Sequence, residues 1–581
     1  MRRSRSSLFT IALIAAGSSA CTVTSSLDGE GGSGGLGEGG SSEGGSSEGG
    51  SSEGSRAAVY GYEFAVEFGG EKSPEANQID GLATDAAGSL YTTGFTCATA
   101  GCVSATGEKS AFTRVKKTNP DGEVQWSLSL SGLLAADEPG ANNAYDLGIS
   151  GADDALYISG SFQGALTYPD PDGNEQTVSS LFGEDGEPSV DAFVARVDPS
   201  TGRVVWLVRF GGSDLDGGNE IEVDPSGNVL ATVTTASDTI DFGQGFEPFV
   251  RDTTFDAGSV RPPDSFVVKV SSDGDITWIR HFEGAGGERL RAIETDVDGH
   301  VLAGLEFIGE LRLGNVTYNT ADARLDGGAF FKLDGATGET LFAQPLYDAD
   351  LVEAAAGTDL LNGVDYNVRG VYGGPNGEMV VCGVFKQQLP VGMAVDDSAI
   401  TLQAPTADGG AVDMDMRRAD YVIVYDRDGR VLWADAVAKD EGSSGCEIDG
   451  DDEGNFAIIG TLSGAARVVH FDATNAYNGE ARSLARGLSA QDASYYLLRY
   501  PLSGDSAESF GLQEIGARST GSDPRLEEGG TLHVHPAGGW LSFGIRVPNG
   551  GVVVALGSQD APQLFENPTS LEQGLALVVP L

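Results

Sequence analysis

From about Tyr60 to Leu581 the chain alternates short apolar runs with turns. The runs span roughly five to eight residues, are rich in Val, Ile, Phe, Tyr and Thr, and are bounded by Gly, Asp and Asn. The stretch Asp264–Gly304 (DSFVVKVSSDGDITWIRHFEGAGGERLRAIETDVDGHVLAG) shows this most plainly: four strands separated by turns. No stretch of the body sustains apolar residues at the i, i+3, i+4, i+7 spacing of a helix. The pattern predicts an all-β protein.

The strands fall into four types, here p, q, r and s. Strand p ends in Asp before a turn, as in EIEVD before PSGN, RAIETD before VDGH and GCEIDGD before DEGN. Strand q follows (NVLATVTT, HVLAGLEF, NFAIIGTL), then r (DAFVARVD, DSFVVKVS, DYVIVYDR), then s, which carries an aromatic residue (VVWLVRFGG, ITWIRHFEG, VLWADAVAK). Each type recurs about seven times, at a period near 70 residues, and four strands per repeat suit a β-propeller blade. The body opens on a lone s strand (Tyr62–Gly70) and closes on a lone r strand (Gln573–Pro580). The expectation is a seven-bladed β-propeller over residues 59–581, closed by pairing of the N-terminal strand with the C-terminal blade. Closure removes two sheet edges that would otherwise recruit other chains.

Segments such as DAFVARVDPSTGRVVWLVRFGG and DVDGHVLAGLEFIG resemble the bacterial β-propeller repeat of the SBBP type, and more loosely NHL repeats. The resemblance covers most of residues 60–581 and is weakest at the end. It implies a propeller fold with p lining the central channel and s outermost, in an exported protein. It implies no single activity.

The p–q turns (DPSGN, DVDGH, DDEGN) and r–s turns (DPSTGRV, SSDGDI, DRDGRV) are short. Long segments fall between q and r (Gln163–Val190, Gly243–Pro263, Lys386–Ala419, Gly464–Gln491) and between s and p (Asp348–Asn362). In an antiparallel four-stranded blade these connections emerge on one face. Long loops on a rigid scaffold are where binding usually resides, so a protein or glycan partner is expected at that face.

The first twenty residues read as a signal peptide: Arg2, Arg3 and Arg5, then the apolar run Leu8–Ala16, then small residues before Cys21. The run is too short to span a bilayer. Small residues directly before a Cys resemble a lipoprotein lipobox, with Ser18 where Leu is most usual, so Cys21 is expected to be lipidated; cleavage that leaves a free Cys21 thiol is the other reading. Residues 21–58 add a Gly/Ser/Glu tether with Leu36 as its one apolar residue between Gly29 and Ser55. Such a chain cannot offset the entropy of ordering. This predicts a bacterial cell-envelope protein, an outer-membrane or cell-surface lipoprotein that meets the membrane only through its anchor.

A net charge of −51 repels nucleic-acid phosphates and anionic lipids. Calcium and cationic ligands are compatible with it; no cofactor is predicted, and the chain reads as a monomer. Asp296-Val297-Asp298-Gly299 and Asp426-Arg427-Asp428-Gly429 lack the further ligands of an EF-hand loop and read as turns. Weak calcium candidates are Asp214, Asp216 and Glu220 in GGSDLDGGNE. Export permits a Cys97–Cys102 disulfide. Cys382 and Cys446 lie in successive blades and either pair or sit buried as apolar residues. His533 and His535 share one side of a p strand and read as structural, and Trp126, Trp206, Trp278 and Trp433 share one repeat position, which points to blade packing. No G-x-S-x-G, H-E-x-x-H or P-loop is present, and no catalytic residue is assigned. The leading expectation is a tethered binding scaffold. Its alternative is a propeller enzyme (lyase, hydrolase or dehydrogenase) with a site at the channel mouth.

Overall fold

A computed structural model describes residues 11–14, 61–64 and most of 77–580; its longer omissions are 98–110, 134–143, 252–262, 351–365, 405–417, 439–445, 473–481, 485–493, 502–510, 517–531, 555–562 and 566–572. Every regular element named among the described residues is a β-strand. No helix there is long and apolar enough to cross a membrane.

The strands form antiparallel p-q-r-s sets in chain order. The third runs Asp216–Val223, Val229–Thr235, Asp264–Val270, Ile276–Gly284, and the fourth Glu288–Thr295, Val301–Ile308, Asp326–Leu333, Thr340–Leu346. The second r and s strands are Val190–Asp198 and Arg203–Gly212. Strand q is buried along its whole length at Met379–Lys386 and over most of it at Val229–Thr235 and Val301–Ile308, because neighbouring sheets cover both of its faces. The p strands lie side by side in chain order: Asn77–Thr84, Ala144–Ser150, Asp216–Val223, Glu288–Thr295, Asn367–Gly373, Cys446–Gly450 and Leu532–Val534. The last of them lies against the first. The arrangement is all-β and propeller-like.

Successive sheets are joined by a repeated lock at the short-turn edge. Trp126 and Lys117 of the first set both donate to the carbonyl of Pro199, at 2.9 and 3.2 Å. Trp206 and Arg196 of the second both donate to Ser272, each at 2.9 Å. Trp278 and Lys269 of the third donate to Gly335, at 3.2 and 2.6 Å. In each case the acceptor lies in the r–s turn of the next set. A turn glycine then seats on the indole: a Cβ on Gly202 would come within 2.6 Å of Trp126, and one on Gly338 within 2.9 Å of Trp278. The shared tryptophan position is thus an inter-sheet joint.

The Asp residues of the short turns have a local role. Asp296 Oδ1 accepts the N–H groups of Asp298 and His300, and Asp426 Oδ1 those of Asp428 and Arg430, all at 2.9–3.0 Å. Gly299 and Gly429 follow at φ 80° and 84°, a region glycine enters without strain. On p strands the same turn Asp also meets a lysine from r, as in Asp224–Lys269 at 2.7 Å and Asp296–Lys332 at 2.8 Å.

The long q–r segments differ from the expectation of free loops. Several fold into strands that extend the outer edge of the preceding set, while Gln388–Met393 and Ala399–Gln403 form a two-stranded sheet of their own. Thr239–Asp241 pairs with Gly211 and Gly212 of the second s strand, Glu310–Leu313 with Glu283 and Gly284 of the third, and Ala466–Asp472 with Trp433–Ala438 of the fifth. The second q strand runs on to Pro169 and reaches the first s strand, joining two sets into one sheet. An s strand would otherwise expose a row of unpaired backbone groups; the insertions supply the partner.

The chain ends also differ in detail. Gly61–Phe64, which overlaps the expected closing strand Tyr62–Gly70, does not pair with Gln573–Pro580 directly. Ile11–Ile14 lies between, parallel to Gly61–Phe64 and antiparallel to the C-terminal strand.

Cys382, on the fifth q strand, is disulfide-bonded to Cys446, which opens the sixth p strand; their Cα atoms are 6.3 Å apart. This resolves the open choice in favour of a bridge. Cys21, Cys102 and His535 lie outside the described residues, so the lipidation, the Cys97–Cys102 pairing and half of the His pair carry no structural statement.

Candidate functional site

Two seams between adjacent sets are built from the same repeat positions. An acid begins strand r, a basic side chain meets it from strand s, and a second acid opens the next p strand. At the second-to-third seam these are Asp191, Arg209 and Asp216; at the third-to-fourth they are Asp264, His281 and Glu288.

The first seam is saturated. Asp191 holds Arg209 at 2.6 Å and accepts from the Ser189 hydroxyl at 2.8 Å and Leu181 N–H at 3.0 Å. Asp216 accepts Gly212 N–H at 2.6 Å, the Ser237 hydroxyl at 3.0 Å and the Thr235 hydroxyl. Burial still outweighs these donors and, with a contribution from Asp191, pushes the Asp216 carboxyl up to about 7.

The second seam has the same frame with the donors removed. Asp264 Oδ1 lies 3.1 Å from His281 Nε2. The imidazole is sandwiched by Phe249 and Phe266, with ring centroids 4.2 and 4.7 Å away. Glu288 is fully buried, and among the described residues neither carboxyl oxygen has a hydrogen-bond partner from another residue. The residue facing it across the strands is Phe307, where Asp216 faces Thr235. Two positions on, Gly309 stands where the first seam has Ser237. Burial, and next the charge of Asp264, hold the Glu288 carboxyl well above its ordinary range.

A second feature runs along the p strands. Five of them carry a register shift near the middle, at Asp80, Asp146, Asn219-Glu220, Arg291 and Arg369. A bulge re-aims the residue that it inserts, and each of these bulges includes a charged one. Arg291 is bound to Glu306 at 3.0–3.1 Å.

The three calcium candidates occupy different surroundings. Asp214 is exposed, Asp216 is buried under its donors, and Glu220 sits in the bulge with its N–H on the Thr232 hydroxyl at 2.9 Å. Among the described residues no three His, Cys, Asp or Glu side chains form a group that could hold a metal ion. The Asp264–His281–Glu288 cluster was not singled out from the sequence. The signal available was the contrast between GGSDLD and EGAGGE at equivalent positions.

No family model matches the chain, and no curated protein matches it. Among solved structures it is similar to the polysaccharide lyase Uly1, at 10% identity over 91% of this chain and 94% of that one, with a TM-score of 0.40. It is also similar to the Dos1 propeller (10% identity, 73% of this chain, 90% of that one, TM-score 0.32) and to a rhamnogalacturonan lyase of Bacillus licheniformis (12% identity, 87% and 90%, TM-score 0.26). Likenesses at this level carry no argument about chemistry.

Proposed function

We propose that the chain is an exported lipoprotein, anchored at Cys21 and tethered by the Gly/Ser/Glu segment, whose body is a closed seven-bladed propeller acting as a binding scaffold. Its partner is a protein or glycan, met at the face where the p strands begin. The observation that carries this reading is the use of the q–r insertions. They emerge on that face and several extend preceding s strands as edge partners, so the face is a rigid rim. Rigid presentation lowers the entropy lost on binding. Ring closure is supported by the contact of Leu532–Val534 with Asn77–Thr84. The anchor and tether rest on the sequence alone; cleavage before Cys21 would remove Ile11–Ile14 and leave its place beside the C-terminal strand to Gly61–Phe64.

The anchor is tested by detergent phase partition and protease treatment of intact cells. The wild type should enter the detergent phase, and protease should release the body by cutting the tether. Cys21→Ser should move to the aqueous phase. Identical partition of the two proteins contradicts the anchor, and a body that protease cannot release contradicts surface display.

The alternative, an enzyme or small-ligand site at the channel mouth, has one observation in its favour. The inner-strand bulges set charged residues of both signs in five successive p strands. Glycan-array binding of the body, compared with Arg291→Gln and Arg369→Gln, separates the readings: loss in these variants with the rim intact favours the channel mouth.

A further inference from the structure

We propose that Glu288 is a proton-linked latch: the seam between the third and fourth sets is tight while its carboxyl carries a proton and loosens when the proton leaves. The inference is independent of what the scaffold binds.

The backbone of Glu288 is itself the clasp of the seam. Its N–H donates to the carbonyl of Pro263 at 2.9 Å, and its carbonyl accepts the Ser265 hydroxyl at 2.7 Å. Both partners belong to the start of the third r strand, so these two bonds cross from one set to the next. The side chain on this clasp is fully buried, and among the described residues neither of its oxygens has a partner from another residue. It rests on Gly284, where a Cβ would lie 1.5 Å from Oε1. Phe307 faces it across the fourth sheet.

The charged groups around it are few. From the third r strand comes Asp264, already engaged by His281 of strand s. On its own sheet Arg291 is bound to Glu306, and on the adjoining hairpin Glu310 is bound to Arg312 at 2.5 Å. Among the described residues the charge that acts on it is another carboxylate, and Arg291 and Arg312 already have acids. A second negative charge here meets no donor from another described residue, the arrangement in which a buried carboxyl stays neutral.

The neighbouring seam is an internal control. Asp216 occupies the equivalent position with three donors aimed at it. Replacement of Thr235 by Phe307 and of Ser237 by Gly309 removes two of them, and the longer Glu side chain passes the N–H that Asp216 uses. Both seams bury an acid whose carboxyl is pushed up, but the first gives it three donors and the second gives it none from another described residue.

The sign follows from linkage. The folded-state value lies above the ordinary 4.5. The stability this group supports is therefore complete below about pH 4.5 and is lost as pH rises through the raised value. The seam should loosen on alkalinisation.

The test compares full-length wild type, Glu288→Gln and Glu288→Met between pH 4.5 and 9, by thermal melting and by hydrogen exchange at the Ile308 amide, which donates to Gly287 at 2.9 Å beside the clasp. Wild type and Glu288→Gln should melt together at the acid end. The wild type should fall behind by a few °C at the alkaline end, and its Ile308 amide should exchange several-fold faster there while Phe456–Leu462 of the sixth set is unchanged. Glu288→Met, which carries no titratable proton, should show the same flat profile as Glu288→Gln; it also decides the matter if Glu288→Gln does not fold. Parallel pH profiles for the wild type and either folded variant overturn the proposal, as does equal acceleration in the third, fourth and sixth sets.

Discussion

Trp206 donates its indole N–H to the carbonyl of Ser272, 66 residues away in the next set, at 2.9 Å. Arg196 donates to the same oxygen. One turn carbonyl therefore receives an aromatic and a cationic donor from the adjacent sheet, and the arrangement recurs at Pro199 and Gly335. Trp206→Phe keeps most of the ring packing and removes one donor. It should destabilise by about 1 kcal/mol, read from denaturant midpoints. Because Arg196 still holds the acceptor, Trp206→Phe combined with Arg196→Met should cost more than the two single changes summed.

Lys269 tests the second half of the joint. It pairs with Asp224 at 2.7 Å, and both side chains are nearly inaccessible. Lys269→Met strands a buried carboxylate and should cost about 3–5 kcal/mol. In the wild type, burial opposes the Asp224 charge, but Asn228 and Lys269 outweigh it and hold this carboxyl below its ordinary 3.8. Its contribution is therefore present above about pH 3.8 and is lost as pH falls through the lower folded value. The variant should lose this acid limb. An unchanged acid unfolding profile contradicts the pairing.

The Cys382–Cys446 bridge links the fifth and sixth sets across a separation of 64 residues. A loop of that length restricts the unfolded chain by about 4 kcal/mol in the chain-entropy account. The double Cys→Ala variant should melt lower by a corresponding margin, and reductant should have no further effect on it. A wild type whose melting is indifferent to reductant while unfolded contradicts the bridge.

The hairpin Glu310–Leu313/Val316–Asn319 covers the edge of the third s strand. Replacing Gly309–Thr320 by a short linker should leave strand content nearly intact but expose the edge. Light scattering should then show association that rises with concentration. A variant that remains monomeric indicates that the hairpin is dispensable as an edge cover.

Much of this was legible before the structure. Strand order, the turn role of Asp296 and Asp426, and the shared tryptophan position all depend on local pattern, which repetition amplifies. The fate of the insertions was not legible, because the partner of Thr239–Asp241 is Gly211-Gly212 in the set before it, and no spacing reports that register. The Cys382–Cys446 pairing likewise depended on how two sets face each other. Glu288 stayed hidden for a related reason. Its character is fixed by Phe307 and Asp264, one across its own sheet and one across a seam, so its letter in the sequence looks like any other acid opening a strand.

The central claim is that the p strands close into a ring. Pulsed electron–electron distance measurement tests it directly, with spin labels at Ser129 in the first set and Ser542 in the last. A closed ring predicts a distance like that between labels on neighbouring sets. A distance like that between sets on opposite sides of the molecule contradicts closure, and with it the rigid scaffold on which the proposed function rests.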